Sequence, residues 1–309
     1  MKRLFVTGAH GFVGGWVQRR APEIAQEHGY QLAIPPVGFD LFDGAQVDAQ
    51  LAQHRPDAIL HLAAQSNVPH SFVDPERSFR TNVFGTLRLF EAIKRAGLRP
   101  RVVFASSGDV YGKVPVEDMP VTEKWIPRPC NPYAVSKLAA EALCYQWSQT
   151  EGLEVMVARP FNHVGAGQAT SFVLPSVAQQ VARIKAGAHP PFIEVGDIDV
   201  TRDFTHVIDV IEGYLTLLAK GVPGETYNIA SGKDTLIRDL LERLLELANV
   251  KAEFRQDPLR FRYAEQRLVR GGNAKITSLG WRATHSIEEA LQDVLQDWEQ
   301  KTKEWLDRR

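Results

Sequence analysis

The chain is predicted to fold as a doubly wound parallel α/β sheet with a smaller, mixed C-terminal lobe, and three observations predict it. The apolar stretch Leu4-Phe5-Val6-Thr7 runs directly into a glycine turn, Gly8-Ala9-His10-Gly11-Phe12-Val13-Gly14. Strand and helix signals then alternate as far as Ala158, with strands apolar on both faces, as a sheet covered by helices on both sides requires. Beyond Pro160 the alternation fades. In such a sheet, right-handed crossovers place ligands at the carboxyl ends of the strands.

The elements follow in order. A buried strand over residues 4–7 leads through the turn to a helix over about 11–20. A strand over 31–34, a helix over 46–54 and the strand 58–62 come next. A long helix is expected over 75–96, then the apolar strand 101–105, a helix opening at Pro132 and the strand 154–158. Pro132 suits the first helical position, where its missing N–H costs nothing, and Asn131 can cap that turn. Residues 1–164 are read as a dinucleotide-binding domain. Residues 165–309 are read mainly as a substrate lobe, with segments near 200–230 returning to the first domain. In the lobe, helices are expected over 174–186, 207–219 and 236–247, with strand-like residues at 192–195. Ser286 with Glu289 makes a capping box for a last helix, striped by Ile287, Leu291, Val294 and Trp298.

Composition narrows the partners. With 36 basic and 37 acidic residues among 309, the net charge of −1 offers no general attraction to nucleic acid or to an anionic membrane. Cys130 and Cys144 form no C-x-x-C pair and the nine histidines form no close ligand pair, so neither a disulfide framework nor a metal site is expected. Basic residues precede the first apolar run, but glycines break that run after four residues, too soon for an export signal or a membrane span. A cytoplasmic protein is expected.

Two constellations carry chemistry. Glycines 8, 11 and 14 lie between a strand and a helix, where they allow a tight turn, close approach of backbone to a pyrophosphate, and close helix packing. A dinucleotide is therefore expected. The acid that would hold an adenosine ribose at the end of the second strand is absent from Ala33-Ile34-Pro35-Pro36-Val37-Gly38. The cofactor reading accordingly leans to NADP(H) and leaves NAD(H) open, with Arg19 and Arg20 the candidate cations for a 2′-phosphate. Asp40, followed by Leu41, could place a carboxylate near adenine, or Asp40 and Asp43 could simply cap the next helix. The second constellation is Tyr133-x-x-x-Lys137, whose side chains share a helix face. A lysine cation and the positive helix end both favour the phenolate, which predicts a tyrosine with a lowered pKa able to move a proton. Such a pair also occurs on ordinary surface helices. A basic excess at Arg255, Arg260, Arg262, Arg267 and Arg270 suits a diphosphate, although most such runs are solvated faces.

These motifs together with Ser107-Gly108-Asp109-Val110-Tyr111-Gly112, His61-Leu62-Ala63-Ala64, Thr81-Asn82-Val83-Phe84-Gly85-Thr86, Arg159-Pro160-Phe161-Asn162-His163 and Arg202-Asp203-Phe204-Thr205-His206-Val207 resemble the extended short-chain dehydrogenase/reductase family, from the first strand to about Trp281. The resemblance implies a Rossmann fold and a catalytic trio of Ser107, Tyr133 and Lys137. It further implies that Gly8, Gly11, Phe12, Val13, Gly14, Asp40, Leu41, Leu62, Ala63, Ala64, Asn82, Pro160 and His163 line the cofactor, together with Tyr133 and Lys137. Where family members that dehydrate nucleotide sugars carry an acid pair ending in glutamate, this chain has Gly108 and Asp109, which disfavours dehydration. The segments around Arg159–Gln168, Val195–Asp197 and Val200–Phe204 are most similar to members that reduce the C4 ketone of GDP-4-keto-6-deoxy-D-mannose to GDP-D-rhamnose, so a GDP-sugar is the expected substrate. By that likeness Ser107, Asp109, Asn162, Ser171, Phe172 and Val173 contact the sugar side, Val195 and Gly196 flank guanine, Arg202 and Arg262 grip the diphosphate, and Glu265 meets the ribose. A sugar 4-epimerase or another 4-ketosugar reductase stays open, and a non-catalytic dinucleotide-binding regulator is the remote alternative. The resemblance also implies a homodimer formed by the helices near 75–96 and 132–149.

Overall fold

In the computed structural model, which describes residues 1–258 and 266–308, the chain opens with β1 (Lys2–Thr7), buried from Leu4 onward. The turn after it needs glycine for two separate reasons. Gly8 has φ 69°, in the left-handed region, and a Cβ there would lie 2.6 Å from the Ala63 nitrogen. Gly14, inside α1 (Phe12–Arg19), would place a Cβ 2.4 Å from the Gly8 carbonyl oxygen. Helix and strand backbones thus touch, which only hydrogen side chains permit.

The first helix is shorter than expected, and α2 (Ala21–His28) follows it unannounced. Pro22 has no N–H to return to the Gln18 carbonyl, so one helix ends and another starts around it. β2 (Tyr30–Ala33), α3 (Gly44–His54) and β3 (Ala58–His61) continue the alternation. The single long helix expected over 75–96 is instead α4 (Val68–Val73), α5 (Pro75–Phe79), a π-helical turn at Arg80–Phe84, and α6 (Gly85–Arg95). Wide turns of this kind re-aim one side chain at the cost of regular helix bonds, and here it is Asn82 that points inward. Next come β4 (Arg101–Ala105), α7 (Pro132–Thr150) and β5 (Glu154–Pro160).

The remainder comprises β6 (Asn162–Val164), α8 (Val173–Lys185), β7 (Phe192–Val195), β8 (Thr201–Arg202), β9 (Phe204–His206), α9 (Val207–Lys220), β10 (Thr226–Ile229), β11 (Thr235–Leu236), α10 (Ile237–Ala248), β12 (Glu253–Gln256), α11 (Ala274–Ser278) and α12 (Ile287–Asp307). β10 joins the main sheet, whose order is β10-β5-β4-β3-β1-β2, every pair parallel. Winding reverses between β1 and β3, and that switch opens a crevice at their carboxyl ends. Alternation along β1 sends Leu4 and Val6 into one core layer, with α1 and α9, and Phe5 into the other, with Phe90, Phe104 and Trp147. A third core is built from α8, α10, α12 and β7. There the Ser286–Glu289 capping box forms, and Leu291 and Val294 are buried. No described helix is long and apolar enough to cross a membrane.

The two neighbouring glycines of α1 separate close approach from mere presence in a helix. Gly14→Ala is expected to lower stability by about 2 kcal/mol or more, because backbone rather than a side-chain tip stands in the way. Gly15→Ala, whose Cβ would have only the tip of Arg19 at 3.9 Å, should be neutral or gain up to about 1 kcal/mol. Urea unfolding of both variants checks the contrast.

Candidate active site

At the carboxyl ends of β1 and β3 the glycine turn meets Leu62, Ala63 and Ala64. The Leu62 N–H donates to the Thr7 carbonyl at 3.2 Å and the Ala63 N–H to the Thr7 hydroxyl at 3.3 Å. Gly11 is the N-cap of α1 and no side chain among the described residues caps it, so the first-turn N–H groups, Phe12 and Val13 among them, stay available to an anion. A pyrophosphate fits this cradle. His163 stacks on Phe12 with ring centroids 6.1 Å apart and planes 5° apart, and its Nδ1 donates to the Phe161 carbonyl. Burial lowers the His163 pKa, so this imidazole stays neutral.

A buried polar chain runs from the turn to the helix of Tyr133. The Thr86 hydroxyl donates to the Asn82 carbonyl at 2.7 Å, so it must accept from His61 Nε2 at 3.0 Å. That fixes the tautomer: His61 Nδ1 accepts from the Thr7 hydroxyl at 2.6 Å. Burial, and then the Lys137 ammonium, push the His61 pKa down to about 3, which keeps the ring neutral. The Asn82 amide accepts from the Gln65 N–H at 2.8 Å and donates to the Gln65 carbonyl at 3.0 Å and to the Ser136 hydroxyl at 2.9 Å. Ser136 in turn donates to the Tyr133 carbonyl. The roles of Thr7, His61 and Thr86 were not anticipated from sequence. The available signal was Thr7 immediately before Gly8, with a histidine closing β3.

Asn131 caps α7 as expected, accepting from the Ala134 N–H at 2.7 Å, and Pro132 opens it. The Tyr133 and Lys137 side chains are both buried beside the end of β4, 8% and 3% exposed. The Tyr133 hydroxyl is hydrogen-bonded to Ser107, which is the N-cap of a short 3-10 turn after β4. Lys137 Nζ donates to the Ala105 carbonyl at 2.7 Å and lies 4.9 Å from the centre of the Phe104 ring.

The expectation of a lowered tyrosine pKa is corrected. Burial, with the Asp109 carboxylate nearby, pushes the Tyr133 pKa well up, and the Ser107 hydrogen bond opposes this only in part. Lys137 spends its ammonium on Ala105 rather than on the phenol. Burial also pulls the Lys137 pKa down to about 8. Tyr133 is therefore a protonated donor across the neutral range.

The other expected residues divide. Asn162 lies on β6, paired with β9, and its amide donates to the Asp203 carbonyl at 3.5 Å. Phe172 is the N-cap of α8, with Ser171 before it and Val173 opening the helix. Arg202 sits on β8, one guanidinium nitrogen on the Thr201 carbonyl. Gly196 follows β7, but the Val195 side chain is packed in the lobe core and its carbonyl accepts from the Asp257 N–H, so this valine has no side chain to offer a base. Pro160 ends β5 and is buried. The Asp40 carboxylate accepts from the Phe42 N–H in its own loop, Asp43 caps α3, and Leu41 is buried against Gly85. Arg20 is taken up by Glu212 at 2.5 Å, whereas Arg19 is exposed and lies over the Trp16 ring, a contact that leaves its N–H donors available. Arg262 and Glu265 lie outside the described residues. The one metal-compatible cluster among the described residues, Glu27, His28 and Glu212, is away from this site and Glu212 is already paired with Arg20 and His28.

A glycine cradle on a parallel sheet, with a half-buried serine and a buried tyrosine and lysine converging beyond its fourth strand, defines an extended short-chain dehydrogenase/reductase. The chain belongs to the GDP-mannose 4,6 dehydratase family, whose sequence profile matches residues 19–294. It is 47% identical over 305 residues to a GDP-6-deoxy-D-mannose reductase of Pseudomonas aeruginosa, covering 98% of this chain and 99% of that one. Among solved structures it is similar to RMD from Pseudomonas aeruginosa complexed with NADPH, with TM-score 0.92 and 46% identity over 97% of this chain and 100% of the other. It also resembles the UDP-glucose 4-epimerase of Thermus thermophilus in complex with NAD, with TM-score 0.83 and 28% identity over 96% and 98% of the two chains.

Because Asp109 contributes to the raised Tyr133 pKa, Asp109→Asn is expected to lower it. An absorbance titration of the phenol, referenced to Tyr133→Phe, measures this; an unmoved Tyr133 would mean that burial alone sets its acidity.

Proposed function

We propose that this enzyme reduces the C4 ketone of GDP-4-keto-6-deoxy-D-mannose to GDP-D-rhamnose, with NADPH as the preferred reductant. The observation that carries the reading is the buried contact of Tyr133 with Ser107 above Lys137, in a chain similar from end to end to a GDP-6-deoxy-D-mannose reductase.

The glycine turn, Leu62 to Ala64 and Lys137 hold the dinucleotide. A bound reduced nicotinamide supplies hydride to the carbonyl carbon. Ser107 donates a hydrogen bond to the carbonyl oxygen as negative charge builds there. Tyr133 gives that oxygen its proton, so ketone, hydride and proton balance to a secondary alcohol. A raised pKa suits this role, because the phenol enters each turnover protonated. Lys137, protonated, bonds the nicotinamide ribose and offsets the phenolate left behind.

Dehydration is disfavoured by shape as well as by residue type. A Cβ on Gly108 would lie 3.2 Å from three carbons of the Phe161 ring, so the first acid of a dehydratase pair has little room there. Asn162, Arg202, Arg262 and Glu265, with the segment Ser171–Val173 and Gly196, are proposed to bind the sugar nucleotide through the C-terminal lobe. NADPH preference is supported by the missing acid after β2 and by His10, whose Nε2 contacts the Pro35 carbonyl at 3.0 Å and brings an imidazole to that end. Exposed Phe72, Phe84, Val135 and Tyr145 on the α4 to α7 face support a homodimer through these helices. Sedimentation at micromolar concentration should show a dimer that Tyr145→Glu weakens; a wild-type monomer removes this part of the reading.

The direct test is NADPH oxidation across GDP-, dTDP- and UDP-4-ketosugars, with NMR assignment of the product at C4. Turnover should be confined to the GDP sugar, Tyr133→Phe should lose about a hundredfold or more, and kcat/KM should fall as pH rises through about 8, where the free enzyme loses the Lys137 charge. Oxidation with the dTDP or UDP sugar alone would overturn the substrate, and normal turnover by Tyr133→Phe would overturn the proton donor.

A further inference from the structure

One buried ion pair lies directly behind this site without belonging to it. Glu141 stands one helical turn beyond Lys137 on α7, and Arg159 stands near the end of β5; their side chains are each 7% exposed. Arg159 forks onto both carboxylate oxygens, Nε to Oε1 at 2.9 Å and a terminal nitrogen to Oε2 at 2.5 Å. The Ser106 hydroxyl donates to the same Oε1. On its other side the guanidinium lies 4.8 Å from the centre of the Tyr111 ring, and the Tyr111 hydroxyl donates to Asn228 on β10 at 2.6 Å. The pair thus joins the helix of Tyr133 and Lys137, the residue before Ser107, and the strand that runs on to Asn162.

A buried ion pair is a poor way to gain stability, since desolvating two charges offsets most of their attraction and an apolar pair of similar volume usually serves as well. Its position suggests another use. We propose that Glu141 and Arg159 are positioning residues of the reductase site: through Ser106 they fix the turn that carries Ser107, and through its charge Glu141 keeps the Lys137 ammonium protonated at working pH.

The charges facing Lys137 bear this out. Glu141 and Cys144 approach from α7 itself, neutral His61 from β3 and Arg159 from β5, while Tyr133 and Asp109 lie toward the crevice and Tyr214 on α9 couples to Tyr133. Burial opposes the Lys137 charge most strongly, and anions at Cys144 or Glu141 would restore it. The Cys144 thiol cannot serve, because burial and Glu141 together push its own pKa far up and leave it neutral. Glu141 is the remaining support.

This inference rests on the reductase reading, but its test does not need a substrate. Protein labelled with ¹³C at lysine Cε, with the Lys137 signal assigned by its loss in Lys137→Met, reports the Lys137 titration midpoint directly. Glu141→Gln should move that midpoint down by about one pH unit, the scale of a lost charge one helical turn away in a partly screened interior, and the paired replacement Glu141→Met with Arg159→Met, which removes a cation along with the nearer anion, should move it the same way by less. The apolar pair decides the matter if Glu141→Gln fails to fold around an unpaired arginine. Glu141→Asp keeps the charge but withdraws it from Ser106, so it should keep the wild-type midpoint while kcat falls about tenfold through Ser107 misplacement; it is read alone if neither neutral variant folds. A folded neutral variant with an unmoved midpoint, or Glu141→Asp with unchanged kcat, would overturn the assignment. A shifted midpoint in protein that ignores every GDP-ketosugar would fault only the substrate.

Discussion

The constraint on which the structure depends is that polar groups buried between the glycine turn and the helix of Tyr133 must all find partners. One chain satisfies them: the Ala63 N–H, Thr7, His61, Thr86, Asn82, Ser136 and the Tyr133 carbonyl. Each hydroxyl in it both accepts and donates, so the direction of every bond follows from its neighbours and His61 is held in one tautomer. The glycine turn and the helix bearing Tyr133 are therefore not two sites brought together by a ligand. They are ends of one preorganised unit, which is what a reaction needing tenths-of-an-ångström placement requires.

That chain explains the local departures from regular structure. The π-helical turn at Arg80–Phe84 is a poor helix, but it aims Asn82 across to Gln65 and Ser136 at once. Gly8 and Gly14 give up side chains so that β1, α1 and the segment after β3 can close on one another. Asp203 plays a similar part beside β6, where its buried carboxylate accepts from the Ser231, Gly232 and Gly271 N–H groups and ties together the loops beside Asn162.

Much of this was legible in the sequence because it rests on local rules. The glycine turn, the Asn131 cap and Pro132 start of α7, and the Ser286–Glu289 capping box each depend on a few neighbouring residues. The failures have physical causes. Pro22 restarts a helix whose apolar pattern is too short to read, and the π-helical turn inserts one residue without changing composition. The Tyr133 pKa was misjudged because the pairing of Tyr133 with Lys137 is local, whereas burial and the approach of Asp109 come from tertiary packing. Val195 looked like a base contact by motif position, yet strand alternation turns its side chain into the lobe core. Glu141, four residues beyond Lys137, was visible by spacing, but only the fold shows that Arg159 and Ser106 meet it.

The central claim is that a hydride goes to C4 of the sugar and stays there while Tyr133 delivers the proton. A single turnover with NADPH deuterated at the transferable C4 position, followed by NMR of the sugar product, tests it most directly. The account predicts one deuteron at sugar C4, none at C5, and a full equivalent of oxidised coenzyme. Deuterium at C5, or a product without label and with the coenzyme returned to its reduced form, would contradict it.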